Sequence, residues 1–260
     1  MTEFLGPLSV WSTLVLFAAV FGCIELGRFL GRWRRAAYSE QERAGTGVVE
    51  GALFAFVGLL LAFSFAGAMQ RWDVRRDLVV SETNAIGTAW LRIDLLPAES
   101  QPKLRELFRA YTDARISVFE SLPDLPAVQA EIARANSLQG EIWAYAVAEC
   151  LRPDGEKARV LLLPALNEMI DITTTRTMSL MSHPPVVIHW LLISLVLVSS
   201  LMAGFAMSPT KTQRWLHVLA FTTVMTAGVY IVLDLEYPRT GLIRLEWVDQ
   251  FMIELRQSMK

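Results

Sequence analysis

Residues 47–77 read GVVEGALFAFVGLLLAFSFAGAMQRWDVRRD, and this stretch decides the fold. From Val48 to Met69 it is an apolar run of the ~20 residues a helix needs to cross a hydrocarbon core. Gly47, Gly51, Ala55, Gly58, Ala62 and Ala66 recur at intervals of three or four, so a helix here carries a narrow stripe of small residues. Such a stripe lets another helix backbone approach closely, a contact that lipid provides no hydrophobic force to replace. No breaker separates the run from Gln70–Asp77. The pattern predicts one helix from Thr46 to about Leu96, stopped by Pro97, with Leu78, Glu82, Ala85, Ile86, Ala89 and Ile93 on one face of its polar half.

Three further apolar runs flank this one: Leu8 to Leu30, Val186 to Met207 and Trp215 to Leu233. With hydrophobic residues at 53% and mean hydropathy at +0.37, the chain reads as an integral membrane protein. The first run is too long for the apolar region of a signal peptide and lacks a cleavage site, so it is expected to remain as a span. The expected organisation is a first transmembrane pair (1–71), a water-exposed helical insert (72–183), a second transmembrane hairpin (184–235) and an amphipathic tail (236–260). The fold class is therefore all-α, with four transmembrane helices and a helical bundle between the second and third.

Within the insert, Ser100 with Pro102 in the first turn marks one helix start, and Pro123 closes that helix. Asp124 caps a second helix, which ends before Pro153-Asp154-Gly155. A third runs from Glu156 to about Ser182, with Pro164 expected to kink it. His183-Pro184-Pro185 breaks the chain before the third span. Ser208-Pro209-Thr210-Lys211 is a tight turn joining the last two spans as an antiparallel hairpin, and Pro238–Gly241 is a further turn. In the tail, Leu245, Val248, Met252 and Leu255 form an amphipathic pattern that suits a membrane surface or the insert. Basic residues around the two short links (Arg28, Arg32, Arg34, Arg35, Arg43; Lys211, Arg214) favour placing those links in the cytoplasm, although Arg71, Arg75, Arg76, Arg239 and Arg244 bias the other way.

A net charge of -2 and a pI near 6.0 give no reason to expect nucleic acid. Phosphate loops, nucleophile elbows and zincin motifs are absent, so the chain reads as a non-enzyme needing no cofactor. His183, His189 and His217 all lie beside span edges, where a shared metal is not expected. Cys23 and Cys150 read as unpaired thiols. The carboxylates of the insert (Glu82, Asp94, Glu106, Asp113, Glu168, Asp171) read as a solvated mixed-charge face. Of the charges near spans, Glu25 and Arg28 stand one turn apart and are expected to neutralise each other, the alternative being a gating or proton-linked role for Glu25; Glu50, Asp234 and Glu236 are placed to snorkel.

Two readings of the span-two stripe follow. It is a packing seam, or copies of this helix surround a pore whose bore the small residues set and which Phe54, Leu61 or Phe65 constricts. Arg76, further along the same face, would then attract anions at the mouth, unless Asp73 and Asp77 neutralise it. The competing function is a non-conducting scaffold or sensor whose insert binds a partner or ligand.

The layout as a whole resembles the bestrophin-like domain of bacterial membrane proteins. The matching pieces are Gly51-Ala52-Leu53-Phe54-Ala55-Phe56-Val57-Gly58, Glu82-Thr83-Asn84-Ala85, Leu91-Arg92, Leu104-Arg105, Tyr111, Asn167, Arg176 and Arg239-Thr240-Gly241-Leu242-Ile243-Arg244. The resemblance implies a homo-oligomer in the bacterial inner membrane, distantly similar to pentameric anion channels lined by their second span, passing small anions. The chain lacks the acidic calcium clasp of the animal members, so calcium gating is not implied. It also lacks a proline-containing aromatic neck, so the inherited constriction does not carry over.

Overall fold

A computed structural model describes residues 10–34, 40–122, 124–208, 215–237, 242–243 and 246–260. Its helices are α1 (Val10–Arg34), α2 (Glu40–Arg92), α3 (Gln101–Glu120), α4 (Leu125–Cys150), α5 (Glu156–Met181), α6 (Val186–Ala206), α7 (Trp215–Glu236) and α8 (Glu246–Ser258). No strand occurs among the described residues. Helix α2 runs unbroken for 53 residues and tightens into a 3-10 turn at Ile93–Leu95 ahead of Pro97. It begins earlier than the expected Thr46, because Gly45 and Gly47 are carried within the helix rather than breaking it. Four helices, containing the four apolar runs, are long and apolar enough to cross a membrane.

The chain forms two compact units: Met1–Trp72 with His183–Ile243, and Asp73–Ser182 with Arg244–Lys260. In the first unit α1 packs most extensively along α6 and less so along α7. The α1–α6 contact depends on glycine. A methyl group on Gly27 would collide with the carbonyl oxygen of Leu201, and one on Gly204 would collide with that of Ile24. On Gly31 it would overlap the side chain of Ser208. Backbone-to-backbone packing of this kind is how apolar helices associate without a hydrophobic driving force. Helices α6 and α7 also touch, but the main partner of α6 is α1. The expected turn at Pro209–Lys211 lies outside the described residues, as does that at Pro238–Gly241.

In the second unit the polar half of α2 joins α3, α4, α5 and α8 around Ile86, Leu104, Phe108, Tyr111, Ile142, Leu162, Leu166 and Met169. Asp124 caps α4 through the backbone N–H of Ala127 at 3.2 Å. Ser100 precedes α3 but makes no cap bond; its hydroxyl instead donates to the Glu149 carboxylate. Pro123 lies outside the described residues, and α3 ends at Glu120. Of the two placements open to the tail, α8 takes the second: it packs on α3 and buries Val248, Met252 and Met259. Arg256 pairs with Asp113 at 2.7 Å and Arg109 donates to the Met259 carbonyl at 3.0 Å. Leu245 lies outside the described residues.

Candidate functional site

The apolar half of α2 has two faces of different character. On one face Val57 and Ala68 are buried, Phe54 meets Phe221 edge-on with ring centroids 6.2 Å apart, and Leu61 lies against Gly228. On the other, Gly47, Gly51, Ala55, Gly58, Ala62 and Ala66 are all exposed, with Phe65 beside them. Apart from the helix's own backbone, no described atom lies within 4 Å of where a Cβ would sit on Gly47, Gly51 or Gly58. Further along the stripe, Gly58, Ala62 and Phe65 border a groove shared with Leu61 and with Gly228 and Ile231 of α7. Two of the three aromatic or aliphatic candidates, Phe54 and Leu61, instead face α7. The seam that closes helix on helix within this unit is the Gly27, Gly31 and Gly204 set. Its signal in the sequence is the four-residue spacing of Gly27 and Gly31, either side of Arg28.

Several charges of the first unit are paired, whereas Glu50 keeps a buried Oε1 with no hydrogen-bond partner among the described residues. Arg28, 3% exposed, reaches Glu25 at 2.7 Å. Arg71 grips Glu236 with both Nε and Nη2, the Nε bond measuring 2.8 Å, and His183 Nδ1 stands 3.6 Å from the same carboxylate. Glu236 is fully buried, so it does not snorkel as expected; neither does Asp234. The Asp234 carboxylate accepts the backbone N–H groups of Leu242 and Ile243, at 3.1 and 2.9 Å. These are two orphan donors just beyond the helix, which explains a buried acid there.

Just past this half of α2, two more arginines divide the work differently. Arg76 pairs with Asp73 at 3.1 Å and with Asp77 at 2.9 Å. Arg75 is buried and donates to the carbonyls of Ser179 and Ser182. The bond to the Ser182 carbonyl satisfies an acceptor just past the end of α5, while the Ser179 carbonyl also accepts the Ser182 N–H.

The second unit holds a buried charged network that overturns the reading of Glu82 as a solvated carboxylate. Glu82 is 0% exposed and accepts from Arg115 Nε at 2.6 Å and from Arg176 Nη1. Arg176 extends to Asp249 of α8 at 3.4 Å and stacks over Phe119, its guanidinium 3.8 Å from the ring centroid. Nearby, the Tyr111 hydroxyl, Thr173 and Gln139 share a closed hydrogen-bonded triangle with sides of 3.0 to 3.2 Å. Burial alone would raise the Glu82 carboxyl, but the Arg176 and Arg115 charges and their hydrogen bonds outweigh it and hold it below the ordinary carboxylate range. Burial and the neighbouring Glu82 charge push Tyr111 upward, keeping it a neutral phenol. Of the others in that group, Asp94, Glu106, Glu168 and Asp171 are exposed, while Asp113 is half-buried and paired with Arg256. Among the described residues no group of three histidine, cysteine or acidic side chains could hold a metal ion.

Comparison with known proteins follows this architecture closely. The model of the Bestrophin-like family, described as the Bestrophin-like domain, matches residues 9–247. The chain is similar in structure to crystal structures of a bacterial bestrophin homologue from Klebsiella pneumoniae. One of these, a tyrosine-to-alanine mutant, gives a TM-score of 0.70 at 11% identity, covering 95% of this chain and 100% of that one. An isoleucine-to-threonine mutant gives 0.70 at 13% identity, covering 94% and 98%. Among curated proteins none matches the chain.

Proposed function

We propose a function from one premise: this chain belongs to the Bestrophin-like domain family. Membership makes it a channel-type integral membrane protein rather than an enzyme. On our reading it crosses the bacterial inner membrane four times through α1, α2, α6 and α7. Identical copies gather around α2, and that helix lines a passive path for small anions.

The observation that carries this is the exposed stripe of α2. Six small residues, Gly47, Gly51, Ala55, Gly58, Ala62 and Ala66, form an unfilled face on a helix whose other side is already packed. Small residues are the type that membrane helices use for close approach, and no described atom fills the Cβ positions of Gly47, Gly51 or Gly58. A ring of copies supplies the missing neighbours and leaves a narrow bore, with Phe65 as the largest side chain on it. The purified protein in planar bilayers should carry a current whose reversal potential follows the chloride gradient. Absence of current from an intact oligomer would remove the proposal.

One observation favours the second reading, a non-conducting scaffold or sensor built on the helical insert. Arg76 is flanked by Asp73 and Asp77 at ion-pair distance, so the proposed mouth carries no uncompensated positive ring. Gly58→Leu separates the two readings: it should close a pore but leave a binding function of the second unit intact.

A further inference from the structure

The first unit contains a cavity of about 250 Å³ among α2, α6 and α7 whose walls and polar end differ sharply. Leu60, Phe63, Ile188 and Leu192 make the walls apolar. Its polar lining includes Arg71, His189 and the buried carboxylate Glu236. His189 is 6% exposed, and its Nδ1 has no hydrogen-bond partner among the described residues. A buried imidazole nitrogen left unbonded carries a desolvation penalty that a ligand group reaching it would recover. Arg71 spends Nε and Nη2 on Glu236, while Nη1 is its atom nearest Gly67, another residue of the cavity wall. A Cβ at position 67 would stand 3.3 Å from that Nη1, so glycine there gives the guanidinium room to lie along the cavity.

We infer that this cavity binds the anion of a single-chain fatty acid, with its carboxylate on Arg71 and His189 and its hydrocarbon chain along the apolar walls. Four features select that ligand. Glu236 is already compensated by Arg71 and approached by His183, so its charge does not oppose an incoming anion strongly. Two donors side by side, a guanidinium edge and an imidazole N–H, match the two oxygens of a carboxylate. The walls would lose by contact with a small hydrated anion and gain by contact with methylene groups, which favour an apolar lining over water. Finally, the cavity, at about 250 Å³, is of a size to take a single hydrocarbon chain. This site is separate from the α2 stripe, and its occupancy does not depend on whether an assembly conducts.

The test is equilibrium binding of radiolabelled decanoate to the purified full-length protein in nonionic detergent. The site predicts saturable binding of one decanoate per chain, displaced by unlabelled decanoate but at least 10-fold less well by decanol or acetate. His189→Leu, which replaces the unbonded nitrogen with a methyl-bearing side chain, should weaken binding at least 10-fold. Should that variant misfold, Phe63→Trp, at a side chain 68% exposed, narrows the slot and should weaken binding similarly. Equal displacement by decanol would overturn the inference, because the polar end would then select nothing. Undiminished binding to folded His189→Leu would overturn it too, as would absence of saturable binding, or a solved assembly with a phospholipid tail or a neighbouring copy's side chain in the cavity.

Discussion

Gly204 and Gly58 are both glycines in apolar helices, yet the structure gives them opposite roles. A Cβ on Gly204 has nowhere to go, because the α1 backbone occupies its place; a Cβ on Gly58 meets no described atom. Gly204→Leu should therefore force α1 and α6 apart and cost about 3 kcal/mol, the upper range for overpacking. Thermal unfolding in detergent, followed by tryptophan fluorescence, measures it. Gly58→Leu should change the stability of the isolated chain by less than about 0.5 kcal/mol. Glu82 supplies a second contrast with its neighbours. Glu82→Gln leaves Arg115 buried without a counter-charge and Arg176 with only the more distant Asp249, and should cost about 3 kcal/mol at neutral pH. The carboxyl is held below its ordinary 4.5 in the folded state. Its contribution is therefore complete above that value and is lost as pH falls through the depressed folded value. The stability gap between wild type and Glu82→Gln should narrow in that acid window and hold constant above it; a gap that widens on acidification would contradict the network.

At the scale of elements, α8 shows how an amphipathic segment chooses a partner. Its apolar positions, Val248, Met252 and Met259, find the bundle, and its charged positions are matched there as well, Asp249 by Arg176 and Arg256 by Asp113. A lipid surface would satisfy the first set but not the second. Val248→Asp puts a carboxylate at a fully buried position. It should detach α8 and cost at least the ~1.5–3 kcal/mol of the lost side-chain burial. Hydrogen exchange should then speed up in α8 and in the Leu107–Thr112 stretch of α3, and stay unchanged in α1 and α6.

At the scale of the whole molecule, the prediction concerns assembly. If α2 is the shared element, intact particles should have cyclic symmetry with α2 nearest the axis. Cysteines placed at Gly51 or Ala55 should crosslink between copies, while a cysteine at Val57, 1% exposed within the chain, should not. Gly58→Leu should then abolish conductance without dispersing the oligomer. Crosslinks at Val57 with none at Gly51 would put the wrong face at the centre and end the channel reading.

Helix number, order and approximate ends were legible in the residues, because hydrophobic run length and proline or acid punctuation act locally along the chain. So was the faced pattern of Leu104, Phe108, Tyr111 and Arg115, since a 3.6-residue period needs only the helix itself. Other properties were decided by distant partners and left no local mark. Glu82 looks like any carboxylate on a charged helix until residues 33 and 94 positions further along bring it two guanidinium groups. Glu236 looks like a snorkelling end-of-span acid until Arg71, 165 residues away, reaches it. The glycine stripe of α2 was plain in the sequence. That α1 and α6 meet through other glycines, leaving this stripe uncovered in the single chain, is a fact of packing, which depends on distances between helices that no single segment encodes.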